Sequence, residues 1–213
     1  IRRPPRSTRK ESSAASDVYK RQVQHLKENE SIIHGPVKIL FTPDEEIGKG
    51  VDFLDMDKLN ADFGYTLDGG PVGSIEDESF SADGLKVIIN GISAHPGYAK
   101  NKMINAIKIA SQLITSLPQN TMTPETTEKR EGFIHPMSIT GGLEQAEVDF
   151  IIRDHKTSKL AEYETLIEET IKSISEANPG VTYQIEVTEQ YRNMKEILND
   201  FPQVTAYAEE AMK

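Results

Sequence analysis

The chain has 213 residues, of which 37% are hydrophobic and 27% charged, and its formal net charge is -10. A chain of this length buries a sizeable core, which excludes a peptide or a disulfide-stapled mini-protein. It contains no cysteine, so disulfides, thiol nucleophiles and cysteine zinc sites are excluded. The acidic balance argues against nucleic acid as a partner, and no apolar run in the sequence approaches the length of a membrane span.

The first 22 residues differ from the rest of the chain in charge. They carry seven basic and two acidic residues, a local charge of +5 against -15 for the remainder. The segment is rich in Ser, Arg and Pro and has no hydrophobic period, so burial cannot offset its ordering entropy. We expect residues 1–22 to be disordered, and their similarity to a translated adaptor sequence favours a non-native segment over a biological tail.

Two short apolar runs follow, at residues 37–42 and 63–67, and both have the β-branched or aromatic content of a strand. The segment between them, residues 49–59, is compatible with a short helix. Acidic side chains stand directly after both predicted strands, which is where α/β sheets usually place their ligands. These candidate functional groups are Asp44, Glu45, Glu46 and Asp68.

Residues 80–190 have a different hydrophobic pattern, which predicts short strands alternating with two amphipathic helices. The order β-α-β-β-α-β is that of a ferredoxin-like unit with both helices on one face of an antiparallel sheet. The fold class is therefore α/β, with a compact insertion flanked by pieces of a host domain, the last of them at residues 191–213. The predicted strands are 84–90, 137–140, 147–153 and 181–187, and the predicted helices are 101–117 and 157–177.

The adjacent glutamates Glu45 and Glu46 suit hydrolytic chemistry. Neighbouring carboxylates diverge, so one can bind a divalent cation while the other takes a proton from metal-bound water. Asp68 would add a second anionic ligand. A solvated acidic loop accounts for the same pair, and Asp68 alone fits an Asx-turn.

One histidine and two arginines are further candidates. His95 lies in a Gly- and Pro-rich turn, where it is either an ordinary turn residue or a hydrogen-bond donor to a substrate carboxylate or developing oxyanion. Arg153 closes one predicted strand and Arg192 follows another. A guanidinium suits bidentate capture of a terminal carboxylate, although residue types alone favour surface salt bridges for both arginines.

Six motifs together resemble the tripeptide aminopeptidases of the M20 metallopeptidase family, from about residue 32 to the end: FTPDEEIGKG, YTLDGG, SAHPG, EGFIHP, DFIIRD and QYRNM. The resemblance implies an α/β catalytic domain that binds two zinc ions and is interrupted by a ferredoxin-like lid, often used for dimerisation. It implies that Glu45 is the general base and that Glu46 and Asp68 each bind one zinc ion. It also implies that His95 and Arg153 are lid residues facing the substrate.

The resemblance further implies a zinc-dependent aminopeptidase that releases the N-terminal residue of tripeptides in the cytoplasm and forms a homodimer through its lid. The family's other metal ligands have no match in this chain, so we expect an inactive internal segment of such an enzyme. The implied division is 1–22 non-native, 23–79 partial catalytic domain, 80–190 lid and 191–213 the returning catalytic domain.

Two alternatives stay open. Another M20-type exopeptidase or deacylase would share the same carboxylates and differ in what its lid recognises. A lid-type dimerisation module without catalysis would use the helix at 101–117 and the strand at 84–90, which this alternative places at an edge of the sheet.

Overall fold

The structure is a computed structural model that describes residues 19–42, 50–67, 71 and 73–213. It divides into two compact units, residues 1–74 and residues 75–213. None of the helices in the described part of the chain combines the length and apolarity that crossing a bilayer requires.

The described part of the first unit contains two helices, α1 (residues 19–28) and α2 (Met56–Leu59). The Asp55 carboxylate starts α2 by accepting a hydrogen bond from the backbone N–H of Lys58 at 3.0 Å. The helix ends at Asn60, whose φ of 41° lies in the left-handed region. A short helix within residues 49–59 is therefore confirmed.

The two strands predicted for this unit are wrong. Residues 37–42 and 63–67 are irregular and belong to no sheet. An apolar run of this composition becomes a strand only where a neighbouring strand completes its hydrogen-bond ladder. Without such a ladder their larger side chains stay exposed, as at Phe41, which is 61% exposed.

The structure tests the predicted disorder of residues 1–22 only at residues 19–22, where the prediction is wrong. Residues 1–18 lie outside the described residues, whereas residues 19–22 belong to α1. The four-part division of the chain stays a prediction, since the structure itself divides once, between Ser74 and Ile75.

The second unit is a four-stranded antiparallel sheet with two long helices. Its strands occupy the order β2-β3-β1-β4 across the sheet, and every neighbouring pair is antiparallel. This is the ferredoxin-like arrangement that the sequence predicts. Its elements are β1 (Ser81–Asn90), α3 (Ala106–Ser116), β2 (Phe133–Gly141), β3 (Gln145–Asp154), α4 (Ser158–Ala177), β4 (Thr182–Tyr191), α5 (Lys195–Leu198) and α6 (Pro202–Ala211).

Both long helices cover the same face of the sheet: α3 contacts β1, β2 and β3, and α4 contacts β1, β3 and β4. Side chains alternate along a strand, so every second residue of β1 and β3 enters the core. Each large apolar side chain buried in this way stabilises the unit by about 1.5–3 kcal/mol. The core includes Leu85, Val87, Ile89, Leu113, Val148, Phe150, Ile152, Ile167 and Ile171.

The face of the sheet opposite α3 and α4, here called the open face, carries the alternate residues. At its centre Lys86 pairs with Glu147 at 3.0 Å and with Asp149 at 3.3 Å. The Ser138 hydroxyl donates to Asp149 at 2.6 Å, and this bond is the main reason why the pKa of Asp149 lies below its ordinary value. The open face is thus polar at its centre.

Helix α3 starts five residues later than the sequence predicts. The Asn105 side chain accepts hydrogen bonds from the backbone N–H groups of Ile107, at 2.9 Å, and Lys108, at 3.4 Å. An asparagine in this position caps a helix, so the regular turns begin at Ala106.

The edge assignment made for the dimerisation alternative is also wrong. The strand predicted at 84–90 is part of β1, which lies between β3 and β4, and the edges of the sheet are β2 and β4. β1 is therefore paired on both sides and offers no free edge to a second copy.

Candidate functional site

The three predicted catalytic and metal-binding carboxylates, Glu45, Glu46 and Asp68, lie outside the described residues. Their roles stay predictions. Among the residues that the structure does describe, no group of three or more histidine or acidic side chains could hold a metal ion.

His95 is exposed and begins a short 3-10 turn, Pro96–Tyr98. Its Nδ1 accepts a hydrogen bond from the backbone N–H of Gly97 at 3.1 Å, and its ring lies 5.7 Å from the Tyr98 ring. Because Nδ1 accepts, the neutral ring carries its proton on Nε2. His95 therefore presents an N–H donor to solvent, which is the group that its proposed role requires.

Arg153 lies near the end of β3 on the open face, where it is half-buried. Its guanidinium carbon stands 5.8 Å from the centroid of the Tyr191 ring, a cation–π distance. Its Nε is buried and has no hydrogen-bond partner among the described residues. An arginine with an unused buried donor is a candidate anion-binding group.

Arg192, the other candidate arginine, is engaged within the fold. Its Nη1 lies 2.7 Å from Asp83 Oδ1, and its Nη2 lies 2.9 Å from Glu189 Oε2. Asp83 is buried, and the bond to its carboxylate is the main reason why the pKa of Arg192 lies above its ordinary value. The predicted salt bridge of Arg192 is therefore confirmed, although its main partner is buried and does not lie at the surface.

His95 and Arg153 lie at opposite ends of the sheet. Arg153 is paired with Ala82, near the start of β1, while the loop holding His95 leaves β1 after Asn90. The eight steps along the strand from Ala82 to Asn90, at about 3.3 Å each, span roughly 26 Å. A fully extended tripeptide spans only about 11 Å, so one copy of the unit cannot hold both ends of a tripeptide with these two side chains.

Sequence analysis missed a buried asparagine beside Arg153. Asn193 Oδ1 accepts from the backbone N–H groups of Ser79, at 3.2 Å, and Lys195, at 2.9 Å. Its Nδ2 donates to Glu78 Oε1 at 3.1 Å and to the His155 carbonyl at 2.8 Å. These four bonds tie together the segments that enter and leave the sheet. Its sequence signals were its place in the motif QYRNM and its position two residues after β4, which also fits an ordinary turn.

Comparisons with known proteins agree with this architecture. A family model described as a peptidase dimerisation domain of the M20 type matches residues 78–179. Peptidase T of Halothermothrix orenii is 44% identical over 191 residues, which cover 90% of this chain and 47% of that protein. Peptidase T of Clostridium botulinum strain Loch Maree is 45% identical over the same shares of the two chains.

Two solved structures share the fold. The crystal structure of aminopeptidase PepT from Bacillus cereus matches 80% of this chain and 46% of its own, with a TM-score of 0.65 and 25% identity. A tripeptidase from Staphylococcus aureus matches 84% of this chain and 51% of its own, with a TM-score of 0.65 and 20% identity, which bears on the fold alone.

The chain is thus similar to peptidases of the M20 family, and its residues 78–179 match the dimerisation domain of that family. Within that family the similarity is to peptidase T, as the motifs imply, and the chain spans about half the length of the curated relatives that it matches.

Proposed function

We propose that this chain is part of a metal-dependent aminopeptidase that releases the N-terminal residue of tripeptides. The observation that carries the proposal is the similarity to peptidase T, at 42–45% identity over 89–90% of the chain. The likeness to the PepT structure supports it. The alternative hypothesis is an exopeptidase or deacylase of the same family that acts on different substrates. It would use the same catalytic groups, so a comparison of the substrates that are hydrolysed distinguishes the two.

The proposal assigns the chemistry to residues of the first unit. Glu45 takes the proton from the attacking water, and Glu46 and Asp68 bind metal, for which we propose two zinc ions in an intact site. Bound zinc lowers the pKa of water towards neutrality and polarises the scissile carbonyl. Glu45 is then suited to act as the general base because a carboxylate next to a metal ligand can reach the water without binding the metal.

The lid contributes substrate contacts in this proposal. Arg153 binds the C-terminal carboxylate through its guanidinium, whose Nε is buried and unpaired among the described residues. His95 donates from Nε2 to the oxygen that becomes negative in the transition state. Because these side chains lie at opposite ends of one sheet, we propose that they reach a single tripeptide from two copies of the chain.

A homodimer requires a surface for the second copy, and the edge at β2 suits it better than the edge at β4. Residues 133–141 of β2 contain no Asp, Glu, Lys or Arg, whereas β4 carries Glu186 and Glu189. Charged side chains protect a sheet edge from pairing. On and beside β2, Met137, Ile139 and Ile107 of α3 are 57%, 46% and 44% exposed. We propose that β2 and α3 form the dimer interface.

Matched substitutions at the two edges test this interface. Ile139 and Val187 are similarly exposed, at 46% and 49%, and lie on β2 and β4. Sedimentation of the full chain should show a dimer that Ile139→Lys converts to a monomer and that Val187→Lys leaves intact. A strictly monomeric chain, or equal effects of both substitutions, would contradict the proposed interface.

A chimera tests the proposed activity. The corresponding half of Clostridium botulinum peptidase T would be replaced by residues 23–213 of this chain, and hydrolysis of tri-alanine measured. We expect release of the N-terminal alanine, with kcat lowered about 100-fold or more by Glu45→Gln, because removing a general base costs at least that much. A folded chimera that cleaves N-acyl amino acids instead would favour the deacylase alternative.

We also propose that the protein works in the cytoplasm on peptides, with neither nucleic acid nor a membrane as partner. The net charge of -10 supports the first exclusion. Dimerisation without catalysis stays the second candidate function, favoured by the match of residues 78–179 to a dimerisation domain. A chimera that dimerises but shows no Glu45-dependent hydrolysis would support it.

A further inference from the structure

Three neighbouring strands place Arg153, Ala82 and Tyr191 in one row across the open face. Ala82 of β1 pairs with Arg153 of β3 on one side and with Tyr191 of β4 on the other. Residues directly opposite each other on adjacent strands point to the same face. Ala82 is fully buried and has only a methyl group, so the arginine side chain can cross it to reach the tyrosine ring.

Tyr191 reaches this face only because β4 contains a bulge. Thr188 pairs with Gly84 on the open face and Glu189 pairs with Asp83 on the helix side. Simple alternation would then place Tyr191 on the helix side. Gln190 is an extra residue opposite the Ala82–Asp83 step, and it shifts Tyr191 onto the open face. Bulges often re-aim a side chain next to a functional site.

The bulged end of β4 is held in place by Arg192. Its Nη1 donates to the backbone carbonyls of Ala82, at 3.1 Å, and Tyr191, at 3.2 Å, as well as to Asp83 Oδ1. The buried ion pair therefore fixes the backbone on both sides of the pairing between β1 and β4. The backbone that carries the Tyr191 ring is consequently held in place.

We propose that Tyr191 is a positioning residue for Arg153: its ring, carried to the open face by the Gln190 bulge, holds the guanidinium in the orientation that binds a peptide carboxylate. The inference rests on the proposed function for the identity of the ligand. A cation–π contact leaves the guanidinium able to bind a carboxylate, because the aromatic ring accepts no hydrogen bond from its N–H groups. The planar donors can then meet a carboxylate side-on.

The test begins with the full chain without ligand. Nitrogen relaxation of the Arg153 Nε–H group reports the order of the side chain. We expect a restricted group in the unchanged protein and in Tyr191→Phe, which keeps the ring, and a mobile one in Tyr191→Leu. Val187→Ala, on the same strand, serves as the control and should match the unchanged protein. An equally restricted Arg153 in Tyr191→Leu would overturn the inference, whatever the protein binds.

The second arm titrates the same variants with tri-alanine and with tri-alanine amide, which lacks the carboxylate. Loss of a cation–π contact predicts that Tyr191→Leu weakens tri-alanine binding roughly fivefold to thirtyfold and leaves the amide unchanged. Equal weakening of both peptides would mean a general structural role and would contradict the inference. Unchanged tri-alanine binding in Arg153→Gln would instead refute the proposed role of Arg153, so the two failures are distinguishable.

Discussion

The two units of this chain differ in where they keep their apolar side chains. All the buried apolar residues in the described part of the chain lie in the second unit, from Ala82 to Val204. In the described part of the first unit, large apolar side chains are exposed, with Ile33 99% and Phe53 98% exposed. An apolar composition does not by itself make a core; the residues also need strands and helices that present them to one another.

The comparison separates the residues proposed to bind substrate from those proposed to carry out catalysis. The second unit holds its side chains through its own sheet and helices, so Arg153 and Tyr191 have a defined geometry in this chain alone. The proposed catalytic residues follow two segments, 37–42 and 63–67, that have no ladder of their own in the structure. Rigid elements hold a functional site more accurately than irregular segments. The proposed contacts of Arg153 with substrate can therefore be studied separately from the proposed catalytic residues.

The largest expected contrast is between truncations in the two units. Ile152 of β3 is fully buried, whereas Phe53 of the first unit is 98% exposed. Ile152→Ala should lower the free energy of unfolding by about 2–5 kcal/mol because it leaves a cavity in the core. Phe53→Ala should change it by less than about 0.5 kcal/mol. Urea denaturation followed by circular dichroism measures both, and similar losses would remove the distinction between the units.

A smaller effect is expected at the point where the chain enters and leaves the sheet. Asn193→Ala removes four hydrogen bonds made by a side chain that is 3% exposed. Leaving buried partners unpaired should cost about 1–3 kcal/mol. Asn90→Ala, at the half-buried end of β1, removes two solvent-exposed hydrogen bonds, with Thr182 and Gln145, and is the matched control. Equal urea midpoints for the two variants would show that the asparagine does not hold these segments together.

The smallest effect depends on pH. Burial, followed by the neighbouring carboxylate of Asp83, raises the pKa of Glu164 on α4 above its ordinary value. A raised carboxyl pKa favours the folded state below the unfolded pKa, and this contribution is lost as the pH rises through the folded pKa. Glu164→Gln should therefore stabilise the protein slightly near pH 7.

The gain should be only a fraction of about 1 kcal/mol, because the group is mostly solvated. It should disappear below about pH 4, where the native carboxyl is protonated as well. Glu168→Gln, an exposed change on the same helix, controls for lost surface charge, and the urea midpoints of all three proteins are compared at both pH values. A gain that persists in acid would contradict the assigned cause.

The sequence predicted the elements of the second unit that carry an unbroken pattern. The predicted helix at 157–177 lies within one residue of the observed bounds of α4. The observed β3 is longer than the predicted strand at 147–153, by two residues at its start and one at its end. These two elements have regular apolar periods of 3.6 and 2 that local sequence can show. The ferredoxin-like order was therefore predictable from periodicity, whereas the resemblance to the M20 family rests on the motifs.

The elements that the sequence missed depend on neighbours. The first half of β2 contains Pro136, which argues against a strand, yet β2 is an edge strand, where proline is tolerated. Tyr191 was missed because the bulge at Gln190 breaks the alternation that a strand prediction assumes. The wrong strands at 37–42 and 63–67 show the opposite error: their composition suits a strand, yet neither segment joins a sheet in the described part of the chain.

The central claim is that the second unit folds around its own core while the described part of the first unit has none, and hydrogen exchange measured on the full chain tests it most directly. The account predicts the slowest amides in β1, β3 and α4, and exchange close to the rate of an unstructured peptide in residues 37–42 and 63–67. Comparable protection in the two units, or fast exchange throughout β1 and β3, would contradict it.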